Sequence, residues 1–168
     1  MEKVGIFYGS STGNTETAAN QIQQELGTDM ADVKEVTDAS ANDLETYSNI
    51  IFGASTWGVG DMQDDFDIFL SEIENANLKG KKVAIFGLGD QDTYPDSFVD
   101  AIGIIYETLE GKGCEVIGQI AKESYSYDVS KAEINGELVG LPLDEENQGN
   151  LTNERIKNWV QQLRGQFN

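Results

Sequence analysis

The chain has no histidine, one cysteine (Cys114) and two prolines (Pro95 and Pro142) among its 168 residues. Without histidine, no Ser/His or Cys/His nucleophile pair can form. A lone thiol excludes an internal disulfide and most thiol-rich metal sites, and no metal site is expected. Positive charge is also scarce: 11 Lys and Arg stand against 30 Asp and Glu, for a formal net charge of −19. Such a surface repels phosphate backbones and anionic bilayers, so neither nucleic acid nor membrane is an expected partner, whereas basic docking patches would be attracted. No apolar run approaches membrane-spanning length. Met1-Glu2-Lys3 leads straight into a strand-like segment without a leader pattern, so a soluble, cytoplasmic protein is expected. Neither the 18 glycines nor the prolines suggest a linker, which points to one domain over residues 1–168.

What is present alternates. Short apolar runs at 4–8, 50–54 and 83–88 suit strands buried on both faces, with a weaker strand at 31–36 and a last one beginning at 115–120. Between them lie helical stripes. Ala18, Ala19, Ile22 and Leu26 precede the stop signal Gly27, and Phe66, Phe69, Leu70 and Ile73 fall at i, i+3, i+4 and i+7. Phe98, Ala101, Ile102, Ile105 and Leu109 mark a further helix, and Ile156, Trp159, Val160, Leu163 and Phe167 a closing one. A short crossover helix over 38–47 would start at an Asp38 cap. From 121 to about 138 the pattern fails, and the apolar signal resumes at 138–143, as if an insertion split the last strand. Strands alternating with helices predict a doubly wound α/β/α sandwich on a five-stranded parallel sheet with right-handed crossovers.

Three loops follow the carboxyl ends of strands, where ligands of such sheets bind. The first, Tyr8-Gly9-Ser10-Ser11-Thr12-Gly13-Asn14-Thr15-Glu16, feeds a helix N-terminus, whose free N–H groups and dipole favour an anion. It lacks the Gly-Lys-Ser/Thr ending of a triphosphate loop and the spacing of a dinucleotide turn. By itself it reads equally as a phosphate cradle and as a Ser/Thr-rich cap. The second loop carries Trp57 and the third Tyr94. Each aromatic alone reads as a packing or isolated surface residue, and Asp90 as a solvated charge or a cap. Together at one rim, they would suit a flat, phosphorylated ring system.

Gly9-Ser10-Ser11-Thr12-Gly13-Asn14-Thr15-Glu16, Thr56-Trp57-Gly58 and Phe86-Gly87-Leu88-Gly89-Asp90-Gln91-Asp92-Thr93-Tyr94 resemble the three FMN-contacting loops of flavodoxins. The interruption near 121–138 and the tail Asp144-Glu145-Glu146-Asn147-Gln148 resemble the family's long-chain group. The resemblance implies the strand order 2-1-3-4-5 and an FMN carrier rather than an enzyme, with no catalytic residue. Ser10, Ser11, Thr12, Asn14 and Thr15 would hold the phosphate, with Gly13 in the same loop. Trp57 and Tyr94 would sandwich the ring, and Asp90 would lie near its pyrimidine edge. Ser55, Thr56, Gly58, Val59, Gly60, Leu88, Gly89 and Ser97 complete the expected cofactor set. By the same resemblance the protein is expected to be a monomer that docks transiently with flavodoxin- or ferredoxin-type reductases and low-potential oxidoreductases. Ser10 stands where Thr is frequent, Ser55 where Pro often precedes Thr-Trp, Phe66 in place of an expected Trp, and Glu146 where Asp often approaches the ribityl chain.

No Lys or Arg occurs in residues 4–33, 35–78 or 83–111, so all three loops lack local cations. A carboxylate about 10 Å from an anionic reduced flavin opposes it by on the order of 0.4 to 1.7 kcal/mol. At roughly 59 mV per 1.36 kcal/mol for one electron, a few such charges would lower the potential by on the order of 100 mV. A low-potential single-electron carrier is the reading that follows. An FMN-dependent NAD(P)H or quinone reductase of the same architecture is the rival. A phosphoacceptor receiver is disfavoured because Tyr8-Gly9-Ser10 is not an acidic cluster.

Overall fold

The computed structural model describes residues 1–168 and contains the expected parallel sheet. In chain order its elements are β1 (Val4–Tyr8), α1 (Asn14–Leu26), β2 (Ala31–Glu35), α2 (Ala41–Glu45), β3 (Asn49–Trp57), β4 (Asp61–Met62), α3 (Asp64–Asn75) and β5 (Lys82–Leu88). There follow α4 (Asp100–Leu109), β6 (Glu115–Ile117), β7 (Ile120–Ala121), β8 (Glu133–Ile134), β9 (Glu137–Leu138), β10 (Leu141–Leu143), α5 (Glu145–Gln148) and α6 (Thr152–Arg164). The main strands lie in the order β2-β1-β3-β5-β10, all parallel. Counting β6 and β10 as one split strand, this is the order 2-1-3-4-5.

Successive residues of each central strand point to opposite faces, which divides the apolar side chains into two cores. Val4, Ile6 and Tyr8 of β1, with Ile51, Ala84 and Phe86, pack under α1 and α6. Phe7, Ile50, Phe52, Val83 and Ile85 pack under α3 and α4. Phe66, at the position where tryptophan was expected, is fully buried there, edge-on to Phe52 and Phe69 with ring centroids 5.9 and 5.7 Å away. It is a core residue. Trp159 anchors α6 by donating its indole N–H to the Gly118 carbonyl at 2.9 Å.

The structure corrects three local expectations. The crossover helix begins at Ala41, not at an Asp38 cap: Val36–Asp38 form one 3-10 turn, and the Asp43 carboxylate accepts the Ser40 N–H at 2.8 Å. Phe98 precedes its helix, because Val99 adopts a left-handed conformation (φ 46°) and α4 starts at Asp100. The insertion is also wider than 121–138. The chain leaves the sheet after Ile117 and returns at Leu141, with β6 on the first half of β5 and β10 on the second. Ile120 and Leu138 pair with each other in a three-stranded antiparallel sheet, β7-β9-β8, rather than extending the main one.

Candidate cofactor site

The sheet order reverses between β1 and β3, and the loops after those strands and after β5 surround an open cleft of about 250 Å³. Thr12, Asn14, Thr15, Ser55, Thr56, Trp57, Gly58, Leu88, Gly89, Asp90 and Tyr94 line it, joined by Glu145 and Glu146 of α5. Most of the residues expected at a cofactor therefore converge.

At one end, α1 starts immediately after Gly13, itself in a left-handed conformation (φ 93°). The first-turn N–H groups of Asn14, Thr15 and Glu16 have no partner inside the helix. Ser10 and Gly13 shape the loop rather than line the cleft: the Ser10 hydroxyl accepts the Gly13 N–H at 3.0 Å. Ser11 is likewise engaged from outside, accepting from Gln63 Nε2 at 3.2 Å. Gln63 is almost fully buried. Its Oε1 accepts the Phe66 N–H at 2.9 Å, so one side chain caps α3 and braces the phosphate-type loop. Gly9 makes room for it, since a Cβ there would lie 2.2 Å from Gln63 Oε1. Sequence reasoning passed over Gln63, whose burial depends on contacts 52 residues away.

The cleft floor is made by β3. Ser55 Oγ is buried and has no protein hydrogen-bond partner, which leaves a polar group for a ligand to satisfy. The Thr56 hydroxyl is engaged, accepting the Ala101 N–H at 2.9 Å at the start of α4. Trp57 pairs with Asp61 across the turn 58–60, in which Gly58 (φ 51°) and Gly60 (φ 94°) supply left-handed positions that a β-branched residue resists. Val59 is 84% exposed outside the cleft lining, and Gly60 packs on buried Asp100 and Ser97. Val59, Gly60 and Ser97 thus shape this rim from outside the cleft.

Trp57 and Tyr94 are 43% and 39% exposed, unusual for large aromatics on a folded surface, and both border the cleft. Asp90 lines the same cleft. Burial pushes its carboxyl up, but hydrogen bonds from the Thr93 N–H (2.9 Å), the Asn147 amide (2.8 Å) and the Asp92 N–H (3.2 Å) outweigh that and hold it below the usual range. No Lys or Arg lines the cleft, whereas Asp90, Glu145 and Glu146 do. Cys114 stands outside it, half-buried, its thiol pushed up by that burial.

A parallel doubly wound sheet with an anion cradle, two half-exposed rim aromatics and an uncompensated acidic wall at its switch point defines a protein built to hold a flat, phosphorylated cofactor. Comparison with known proteins agrees. The flavodoxin family model matches residues 6–159. A flavodoxin from Trichodesmium erythraeum is 47% identical over 169 residues, covering 99% of each chain, and one from Haemophilus influenzae is 43% identical over 164 residues, covering 97% of this chain and 94% of that one. The crystal structure of Fusobacterium nucleatum flavodoxin bound to flavin mononucleotide superposes with a TM-score of 0.95 at 32% identity, over the full length of both chains. The chain belongs to the flavodoxin family, and its insertion places it in the long-chain group.

Proposed function

We propose that this flavodoxin carries single electrons at low potential on one non-covalently bound FMN, held in the cleft by the residues that line it. FMN supplies the redox-active ring; everything else is positioning, charge and access supplied by the chain. The free N–H groups at the start of α1, with the hydroxyls of Thr12 and Thr15, would take the phosphate. The orphaned Ser55 hydroxyl would meet a polar group of the ligand on the cleft floor. Trp57 and Tyr94 would cover the two ring faces, and the backbone of Gly58, Gly89 and Asp90 would meet the ring edge.

The observation that carries the low-potential reading is the cleft wall: three carboxylates and no cation. Each carboxylate disfavours adding negative charge to the ring, Asp90 more than the solvent-exposed Glu145 and Glu146, whose fields water screens. The reductase alternative is set aside, since flavodoxins are electron carriers rather than enzymes. The same surplus of acid, 30 carboxylates against 11 cations, suits transient docking onto basic faces of reductases and low-potential oxidoreductases in the cytoplasm. No helix is long and apolar enough to cross a membrane.

An anaerobic redox titration of the FMN-loaded protein tests this directly. The expected result is that the lower of the two one-electron potentials falls below that of free FMN by on the order of 100 mV. A value at or above that of free FMN overturns the low-potential reading.

A further inference from the structure

The loop that carries Tyr94 is held along its length by the insertion. The Ser126 N–H and Oγ donate to Gln91 Oε1 at 2.7 and 3.2 Å, and the Asp128 and Val129 N–H groups donate to the Pro95 carbonyl at 2.8 and 2.9 Å. Ser130 Oγ donates to the Phe98 carbonyl, and the Lys131 N–H donates to Asp100 Oδ1 at 2.8 Å. The Tyr127 ring stacks on Phe98 with centroids 5.4 Å apart. None of residues 126–131 lines the cleft.

Among these contacts Gln91 is the one whose side chain continues towards the cleft. It is 2% exposed, and both ends of its amide are used. Opposite the Ser126 bond, Nε2 donates to Asp144 Oδ2 at 2.8 Å, and the Gln91 backbone N–H donates to the same oxygen at 3.1 Å. Asp144 is fully buried and its oxygens accept from Gln91 and Asn147, with no cation among its bonded partners. The Asn147 amide then donates to Asp90 Oδ1 at 2.8 Å. The path from insertion to cleft wall is thus Ser126, Gln91, Asp144, Asn147, Asp90, each step a hydrogen bond.

We infer that Gln91 is a positioning residue through which the insertion sets where Asp90 and the Tyr94 loop stand against the flavin. This rests on the FMN reading above. The buried Asp144 carboxylate needs its N–H donors, since no countercharge replaces them. If the Gln91 donor is lost, Asp144 recruits Asn147 more fully and releases Asp90, while the Ser126 N–H loses its acceptor if the whole amide is removed.

FMN affinity, read by fluorescence quenching at two pH values on the full-length protein, tests the inference. Gln91→Leu removes both side-chain bonds without adding charge and should weaken FMN binding about tenfold near pH 8 and near pH 5.5 alike. Gln91→Glu keeps the acceptor for Ser126 and loses the donor to Asp144. It should bind about tenfold more weakly near pH 8, but recover near pH 5.5, where the introduced carboxyl, raised by the adjoining Asp144 carboxylate, regains a proton and donates again. The charged groups around this position are Asp144, Asp90 beyond Asn147, and Arg155 across the Tyr125 ring. If the wild type binds FMN and both variants match it at each pH, the inference falls while the FMN reading stands. If the wild type takes up no FMN, the reading itself falls. Loss of the cooperative thermal transition in both variants at both pH values would also overturn the inference, because Gln91 would then hold the fold rather than the site.

Discussion

The two ends of the cleft are assembled by opposite means. The phosphate-type end is one continuous loop, residues 10–15, running into the helix whose N–H groups it exposes, with Gln63 as its brace from outside. The ring end brings together Trp57 at the end of β3, Tyr94 after β5, and Glu145 and Glu146 before α6, and its Tyr94 loop is held by an insertion some 30 residues further along the chain. A site made by one loop keeps its geometry as long as its helix forms. A site made from three segments inherits every change in what those segments pack against. The anion end should therefore supply most of the affinity and be robust, while the ring end tunes the cofactor and responds to distant substitutions.

The comparison predicts where binding energy resides. Charge-assisted hydrogen bonds contribute about 1.5–3 kcal/mol each, so losing two or three of them weakens binding on the order of a thousandfold. Riboflavin, which lacks the phosphate, should bind that much more weakly than FMN in a quenching titration; equal affinities would dismiss the cradle. Tyr94→Ala and Trp57→Ala come next. Removing one stacking face costs about 1–3 kcal/mol, or roughly ten- to hundredfold in Kd. Because the two ends share no side chain, the ratio of FMN to riboflavin affinity should stay constant in these variants. A ratio that collapses with Tyr94→Ala would show the ends to be coupled and break the contrast drawn between them.

The same contrast explains what could be read from the sequence. The cradle was legible because its residues are contiguous, and β1, β3 and β5 because strands buried on both faces are continuous apolar runs. Tyr94 was legible from its place after a strand end; Trp57, expected in a loop after the run 50–54, is instead the last residue of β3, and the structure leaves both half-exposed at the cleft. Gln63 and Gln91 were not. A glutamine beside a helix start or in an acidic loop looks like surface, and each is held in the interior by partners more than 30 residues away. The bounds of the insertion failed for a related reason: periodicity marks Ile120 and Leu138 as strand residues but cannot say that they pair with each other rather than with β5. Val99 escaped because nothing in its side chain favours a left-handed backbone; a β-branched residue there is imposed by its surroundings. Glu145 was missed as a cleft residue because its position depends on where α5 docks.

The smallest effect probes the insertion without touching the cleft. Tyr125 rests on Phe98, lies under the Arg155 guanidinium at 4.2 Å, and donates its hydroxyl to the Pro142 carbonyl at 2.7 Å. Burial raises its pKa to about 12, the Arg155 charge pulling it back only in part and the Asp144 charge adding to the rise. The native state thus holds the phenol proton more tightly than the unfolded chain, whose tyrosines titrate near 10. The resulting stability is fully present below pH of about 10 and is lost as the pH rises through about 12. Tyr125→Phe removes the hydrogen bond and should cost about 1 kcal/mol near neutral pH, a gap that narrows towards pH of about 12. Tyr47, raised to about 12 beneath the other end of the sheet, titrates in both proteins and cancels in the difference. Chemical denaturation of the pair across that range measures the gap. A constant difference would mean that the hydroxyl does not hold the insertion down, and that the insertion stays on the ring end by its backbone bonds and ring stacking alone.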